Sequence, residues 1–142
     1  MNTTSESTPP RWLRVVAILA LIWNVLGVLA FAAQLAMDTS ELPALQRDFY
    51  ATMPGWVTLA FGVAVFGGTA GCVALLLRRS IAMALFALSL AGLVVQVAHN
   101  FLIADGFSVF GPTAAVLPAI TCGVSIGLLL LAARARTRGW LG

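Results

Sequence analysis

Four apolar runs, over about residues 12–37, 54–77, 80–104 and 113–133, leave this chain of 142 residues little room for anything but long helices in a bilayer. Each reaches the roughly 20 residues that a helix needs to cross about 30 Å of hydrocarbon. None contains an aspartate or glutamate. Charged residues make up 9% of the chain and apolar residues 61%, whereas about a quarter of a soluble domain is charged. The sequence therefore predicts an all-α integral membrane protein.

The arginines orient the runs. Arg11 and Arg14 open the first, Arg78 and Arg79 separate the second from the third, and Arg134, Arg136 and Arg138 follow the fourth; only Arg47 lies elsewhere. Basic residues close to a span are retained on the cytoplasmic side. Both termini and the middle loop are therefore expected inside, segments 38–55 and 105–112 outside, and the fold is expected to be an antiparallel four-helix bundle. The net charge of +3 is accounted for by this topology, so the expected partner of the arginines is the lipid bilayer and not nucleic acid.

Residues 1–10 are polar, end in Pro9-Pro10 and are expected to form a disordered cytoplasmic tail. Asn2-Thr3-Thr4 matches a glycosylation sequon, but on that side it meets no glycosylation machinery. Residues 11–138 form the membrane domain, and 139–142 a C-terminal tail with Trp140 as an interfacial anchor. A cleaved signal peptide ending near Ala30-Phe31-Ala32 is the competing reading of the first run. That run continues through Leu35 and Met37, beyond the 7–15 apolar residues or so of such a peptide, so an uncleaved span is expected.

A short interfacial helix is expected in the first outer segment. Ser40 is placed to cap it, Pro43 suits its first turn, and Leu42, Leu45, Phe49 and Met53 recur on one face. Tyr50 and Trp56 would sit at headgroup depth; a lid over a pocket is the functional alternative.

Inside the spans, Gly67, Gly68 and Gly71 of the second run give the clearest packing signal, because small residues let helix backbones approach closely in lipid. Packing within the bundle is favoured over packing on a second subunit. Cys72 and Cys122 are expected at different depths, too far apart for a disulfide, and are read as small packing residues. Intramembrane polar residues tend to face the interior. Asn24, Thr69, Ser89 and Ser125 fall at one depth, roughly 13–15 Å from the inner face, as a midplane ring in which only Asn24 demands a partner.

A second polar group, Gln34, Thr58, Gln96, His99, Asn100 and Thr121, lies toward the outer face. Gln96, His99 and Asn100 share one helical face, which Ser89 and Gly92 extend inward. An outward-opening pocket is expected there, widened by a kink at Pro118. Asn24, Gln34, Gln96, His99, Asn100 and Thr121 are the candidate solute-facing residues, and their uncharged amides and hydroxyls suit a neutral hydroxylated ligand better than an ion. His99, the only histidine, is read first as a solvated interfacial residue. It has no carboxylate or thiolate at ligand spacing, so no metal is expected. Without an intramembrane carboxylate, a phosphate loop, a Ser-His-Asp set or paired histidines, no cofactor and no enzymatic activity are expected.

The order Met53-Pro54-Gly55-Trp56, Phe66-Gly67-Gly68-Thr69-Ala70-Gly71-Cys72, Gln96, Leu117-Pro118 and Arg138-Gly139-Trp140-Leu141 resembles a family of small bacterial four-helix membrane proteins whose members carry the label "sugar transporter". The resemblance covers nearly the whole chain. It implies a multi-pass protein of the bacterial inner membrane that binds or transports a small neutral solute such as a sugar. Four helices of this length enclose little free volume, so transport is expected to need a homodimer. The alternative is a non-catalytic accessory subunit that assembles with a membrane protein partner through the Gly67/Gly71 face and the outer helix.

Overall fold

The computed structural model describes residues 7–142. The sequon and most of the expected disordered tail fall on residues 1–6 and lie outside the described residues. Among the described residues six α-helices are formed: α1 Arg11–Ala36, α2 Ala44–Ala51, α3 Gly55–Leu76, α4 Ile81–Ala98, α5 Gly106–Phe110 and α6 Val116–Thr137. A π-helical turn, His99–Ile103, prolongs α4, and a 3-10 turn, Pro112–Ala115, leads into α6. With these extensions, four helices are long and apolar enough to cross a membrane. Among the described residues there is no strand.

The boundaries have local causes. Pro10 and Pro54, each in an extended conformation, precede α1 and α3, as expected of a residue that fixes φ and has no N–H to leave unpaired. Helix α3 ends in a Schellman turn: Arg79 N–H donates to the Ala74 carbonyl at 2.8 Å and Arg78 N–H to that of Leu75 at 3.1 Å. Arg78 takes the left-handed position, φ +58°, that glycine usually fills. Helix α6 ends the same way with Gly139 at φ +70°.

Helix packing runs in a row, α1 on α3, α3 on α4 and α4 on α6. Between α3 and α4, residue numbers fall along one helix as they rise along the other: Gly71 meets Phe86, Gly67 meets Ser89, and Gly92 meets Ala60. The core lies toward the end where the arginine clusters gather, with Leu13, Ala17, Phe86, Ala132 and Leu141 all buried. At that basic end Trp12 and Trp140 pack edge to face with centroids 6.1 Å apart. Ser80 N–H donates to the Gly142 carbonyl and Gly142 N–H to the Arg78 carbonyl, each at 2.7 Å. The Ser7 hydroxyl donates to the Arg138 carbonyl at 2.6 Å. At the opposite end Phe49 is buried against Tyr50 and Phe110.

Three sequence expectations change in detail. The first outer segment is helical, but Ser40 does not cap α2. Asp38 instead caps a 3-10 turn, Thr39–Glu41, accepting from Ser40 N–H at 2.9 Å; hydrogen bonding by the Ser40 side chain and then by its backbone lowers the Asp38 pKa. On the predicted α2 face Phe49 is buried while Leu45 stays exposed. Second, α6 runs past Ala133 to Thr137, since arginine is a good helix former and Arg134 and Arg136 suit a helix C-terminus. Third, Pro118 does not interrupt a helix interior, and α6 continues through it from Val116 to Thr137. This residue falls in the first turn of α6, where backbone N–H groups lack an α-helical partner and proline removes nothing. Cys72 and Cys122 are both free.

Candidate functional site

Three helices converge at Gly68 on α3. A Cβ there would collide with Asn24 Oδ1 of α1 and stand 3.2 Å from Ser89 Oγ of α4. Only glycine lets both polar side chains lie against the α3 backbone. Asn24 is fixed by its amide nitrogen, which donates to the Ala20 carbonyl at 2.8 Å and to Cys72 Sγ at 3.7 Å. Ser89 is buried and donates across the helix interface to the Ala64 carbonyl at 2.5 Å. Gly67 and Gly71 face α4, where an added Cβ would stand 3.4 Å from Ser89 Cα and 2.7 Å from the Phe86 ring respectively. The small-residue surface of α3 is thus filled from within the chain.

Above this junction α1, α3, α4 and α6 surround a cavity of about 310 Å³. Asn24, Ser89, Thr121 and Ser125 supply its polar positions; Trp23, Phe61, Val65, Leu93 and Leu117 are the larger members of the rest. Two of the hydroxyls are already bonded: Ser89 to Ala64, and Thr121 to the Leu117 carbonyl of its own helix at 2.9 Å. Among the described residues no donor reaches Asn24 Oδ1. The wall therefore offers the Asn24 carboxamide, the Ser125 hydroxyl and the Trp23 indole among otherwise apolar side chains. Its exposed sides are α1 and α6, where Leu26 and Leu117 are more than half exposed.

The midplane group thus meets at one site with one member missing: Asn24, Ser89 and Ser125 line the cavity, while Thr69 bonds the Val65 carbonyl of its own helix at 2.7 Å. Of the six candidate solute-facing residues, only Asn24 and Thr121 line it. Gln34 is held at the far end of α1, donating to Met53 Sδ at 3.8 Å, and Thr58 donates to the same sulfur at 3.7 Å. Gln96 is half-buried and outside the cavity.

His99 is not a solvated interfacial residue. It is 6% exposed, with its ring edge-on to Trp56 at 5.3 Å between centroids. It opens the π turn, which displaces the chain from the α-helical register that would align Asn100 with Gln96. His99 Nδ1 and Asn100 Oδ1 are both buried without a hydrogen-bond partner among the described residues. The expected outer stripe is broken further inward as well, because Ser89 and Gly92 pack onto α3. Sequence reasoning missed the apolar wall, Trp23 and Phe61 above all, since nothing in an apolar run distinguishes a cavity-facing side chain from a lipid-facing one.

Among the described residues no cluster of three or more His, Cys, Asp or Glu side chains could hold a metal ion. Comparison with protein-family models, curated proteins and solved structures returns no match for this chain.

Proposed function

We propose that the chain is a four-span protein of the bacterial inner membrane. Its helices run antiparallel, its basic end with both termini is cytoplasmic, and it binds a small neutral solute in the cavity between α1, α3, α4 and α6. Support for the bilayer comes from side chains such as Leu19, Leu29, Leu59 and Leu130, each at least 60% exposed on a long apolar helix, a surface that water does not tolerate at this extent. Support for the orientation comes from the gathering of the arginine clusters at one end.

The observation that carries the solute reading is the Asn24 carboxamide, its oxygen without a donor among the described residues, in the lining of a half-open cavity near the lower limit of ordinary ligand pockets, about 300 Å³. The wall also narrows the solute class. A sugar carries hydroxyls around its ring, and each would lose water against leucine and phenylalanine without repayment. A mostly apolar molecule with one or two donors, such as an alcohol or amide, matches this lining better. The accessory-subunit alternative is less well supported, because Gly67 and Gly71 are occupied by α4.

Thermal unfolding of the purified protein with a panel of neutral sugars, polyols, long-chain alcohols and amides tests the reading. Saturable stabilisation by the amphipathic members is expected, lost in Asn24→Leu, with unchanged helical circular dichroism. Stabilisation by sugars alone, or an undiminished shift in Asn24→Leu, contradicts it.

A further inference from the structure

A second hollow separates α1 from α6 below the cavity. It has a volume of about 520 Å³ and is walled by Trp12, Val16 and Leu19 on one side and Gly127, Leu128 and Leu131 on the other. Trp23 and Val124 belong to both spaces, so the groove leads up to the cavity. From Trp12 to Trp23 it is about 16 Å long at 1.5 Å per residue, close to one leaflet of a roughly 30 Å hydrocarbon layer.

The groove ends in positive charge. Arg134 and Arg138 follow Leu131 at spacings of three and seven, which return both to the groove face of α6. The Arg138 guanidinium lies 5.8 Å over the Trp140 ring, whose partner is Trp12 at the groove mouth. Asp38, Glu41, Asp48 and Asp105 all lie in the segments at the other end of the bundle, and the remaining acidic residue, Glu6, is outside the described residues. No described carboxylate side chain therefore belongs to the basic end.

We propose that this groove binds one anionic phospholipid, its acyl chain along α1 and α6 and its phosphate against Arg134 and Arg138 at the tryptophan mouth. An apolar slot one leaflet long with a cationic head matches that molecule in both shape and charge. A second copy of the chain fits less well. A two-fold axis along the membrane normal would bring two identical arginine ends side by side, with like charges facing across the interface.

Native mass spectrometry of the full chain, released from neutral detergent containing equal phosphatidylglycerol and phosphatidylcholine, tests this. One phosphatidylglycerol is expected to be retained in preference to phosphatidylcholine. Arg134→Gln with Arg138→Gln should weaken retention about 30-fold, at roughly fivefold per arginine, and Arg47→Gln at the opposite end should leave it unchanged. Gly127→Leu should fold normally, since nothing lies within 4 Å of a Cβ built there, yet exclude the lipid by filling the groove. Equal retention of the two lipids, an unaffected double arginine variant, or retention by Gly127→Leu would each overturn the proposal. Competition by soluble glycerol phosphate as strong as that by the lipid would reassign the site to a free phosphate. A lipid-free dimer lost in Gly127→Leu would reassign it to a second copy.

Discussion

Replacing Gly92 by alanine pushes α3 and α4 apart. A Cβ at residue 92 would stand 2.6 Å from the Ala60 carbonyl oxygen and 3.1 Å from the Ala64 nitrogen. Both are backbone atoms, so relief requires the helices themselves to separate. Ser89, one turn earlier, holds the same surface through its 2.5 Å bond to Ala64, and separation lengthens that bond too. Overpacking of this kind costs about 1–3 kcal/mol and the weakened hydrogen bond about 1 kcal/mol. The better helix propensity of alanine returns about 1 kcal/mol. Gly92→Ala should therefore destabilise the bundle by about 1–3 kcal/mol. Gly123 on α6 supplies the control, since nothing lies within 4 Å of a Cβ built there; Gly123→Ala keeps only the propensity gain, at most about 1 kcal/mol. Unfolding by dodecyl sulfate in mixed micelles, followed by far-ultraviolet circular dichroism, measures both. A Gly92→Ala protein as stable as wild type, or a Gly123→Ala protein that loses as much as Gly92→Ala, would refute the close-approach reasoning.

Deleting Trp140–Gly142 removes the paired backbone bonds to Arg78 and Ser80, the Trp12 contact and the burial of Leu141. A loss of about 2–4 kcal/mol is expected in the same titration, and an unchanged midpoint would show that the C-terminal residues contribute nothing to the bundle. Burial raises the Tyr50 pKa above its ordinary value of 10.0. The folded state thus favours the neutral phenol: the contribution is complete below pH 10 and disappears as pH rises through the raised value. Because Tyr50 is the only tyrosine, phenolate absorbance reads it alone, and a midpoint above 10 is expected, with Tyr50→Phe sparing the protein the alkaline loss of stability.

Much of the architecture was legible because the bilayer constrains it so strongly. Four runs without carboxylates could only become long helices, and the glycine pattern of α3 announced a close packing surface. Asn24 stands out by the same logic, as an intramembrane amide that demands a partner, although half of that demand is met by the Ala20 carbonyl of its own helix. What escaped was lateral arrangement. Periodicity shows which residues share a helix face but not which neighbour that face meets, so the common face of Gln96 and His99 does not locate the cavity, which lies lower. The π turn at His99 follows from no local sequence signal. Pro118 misled for a related reason: its effect depends on where the helix starts, and the 3-10 turn over Pro112–Ala115 places it in the first turn of α6.

Labelling of single cysteines by a membrane-impermeant maleimide in intact cells tests the proposed disposition most directly, with Cys72 and Cys122 first replaced by alanine. Ser108→Cys at the acidic end should react from outside, and Thr137→Cys at the basic end only after permeabilisation. Reaction of Thr137→Cys in intact cells, or protection of Ser108→Cys, would contradict a four-span bundle with its arginines in the cytoplasm.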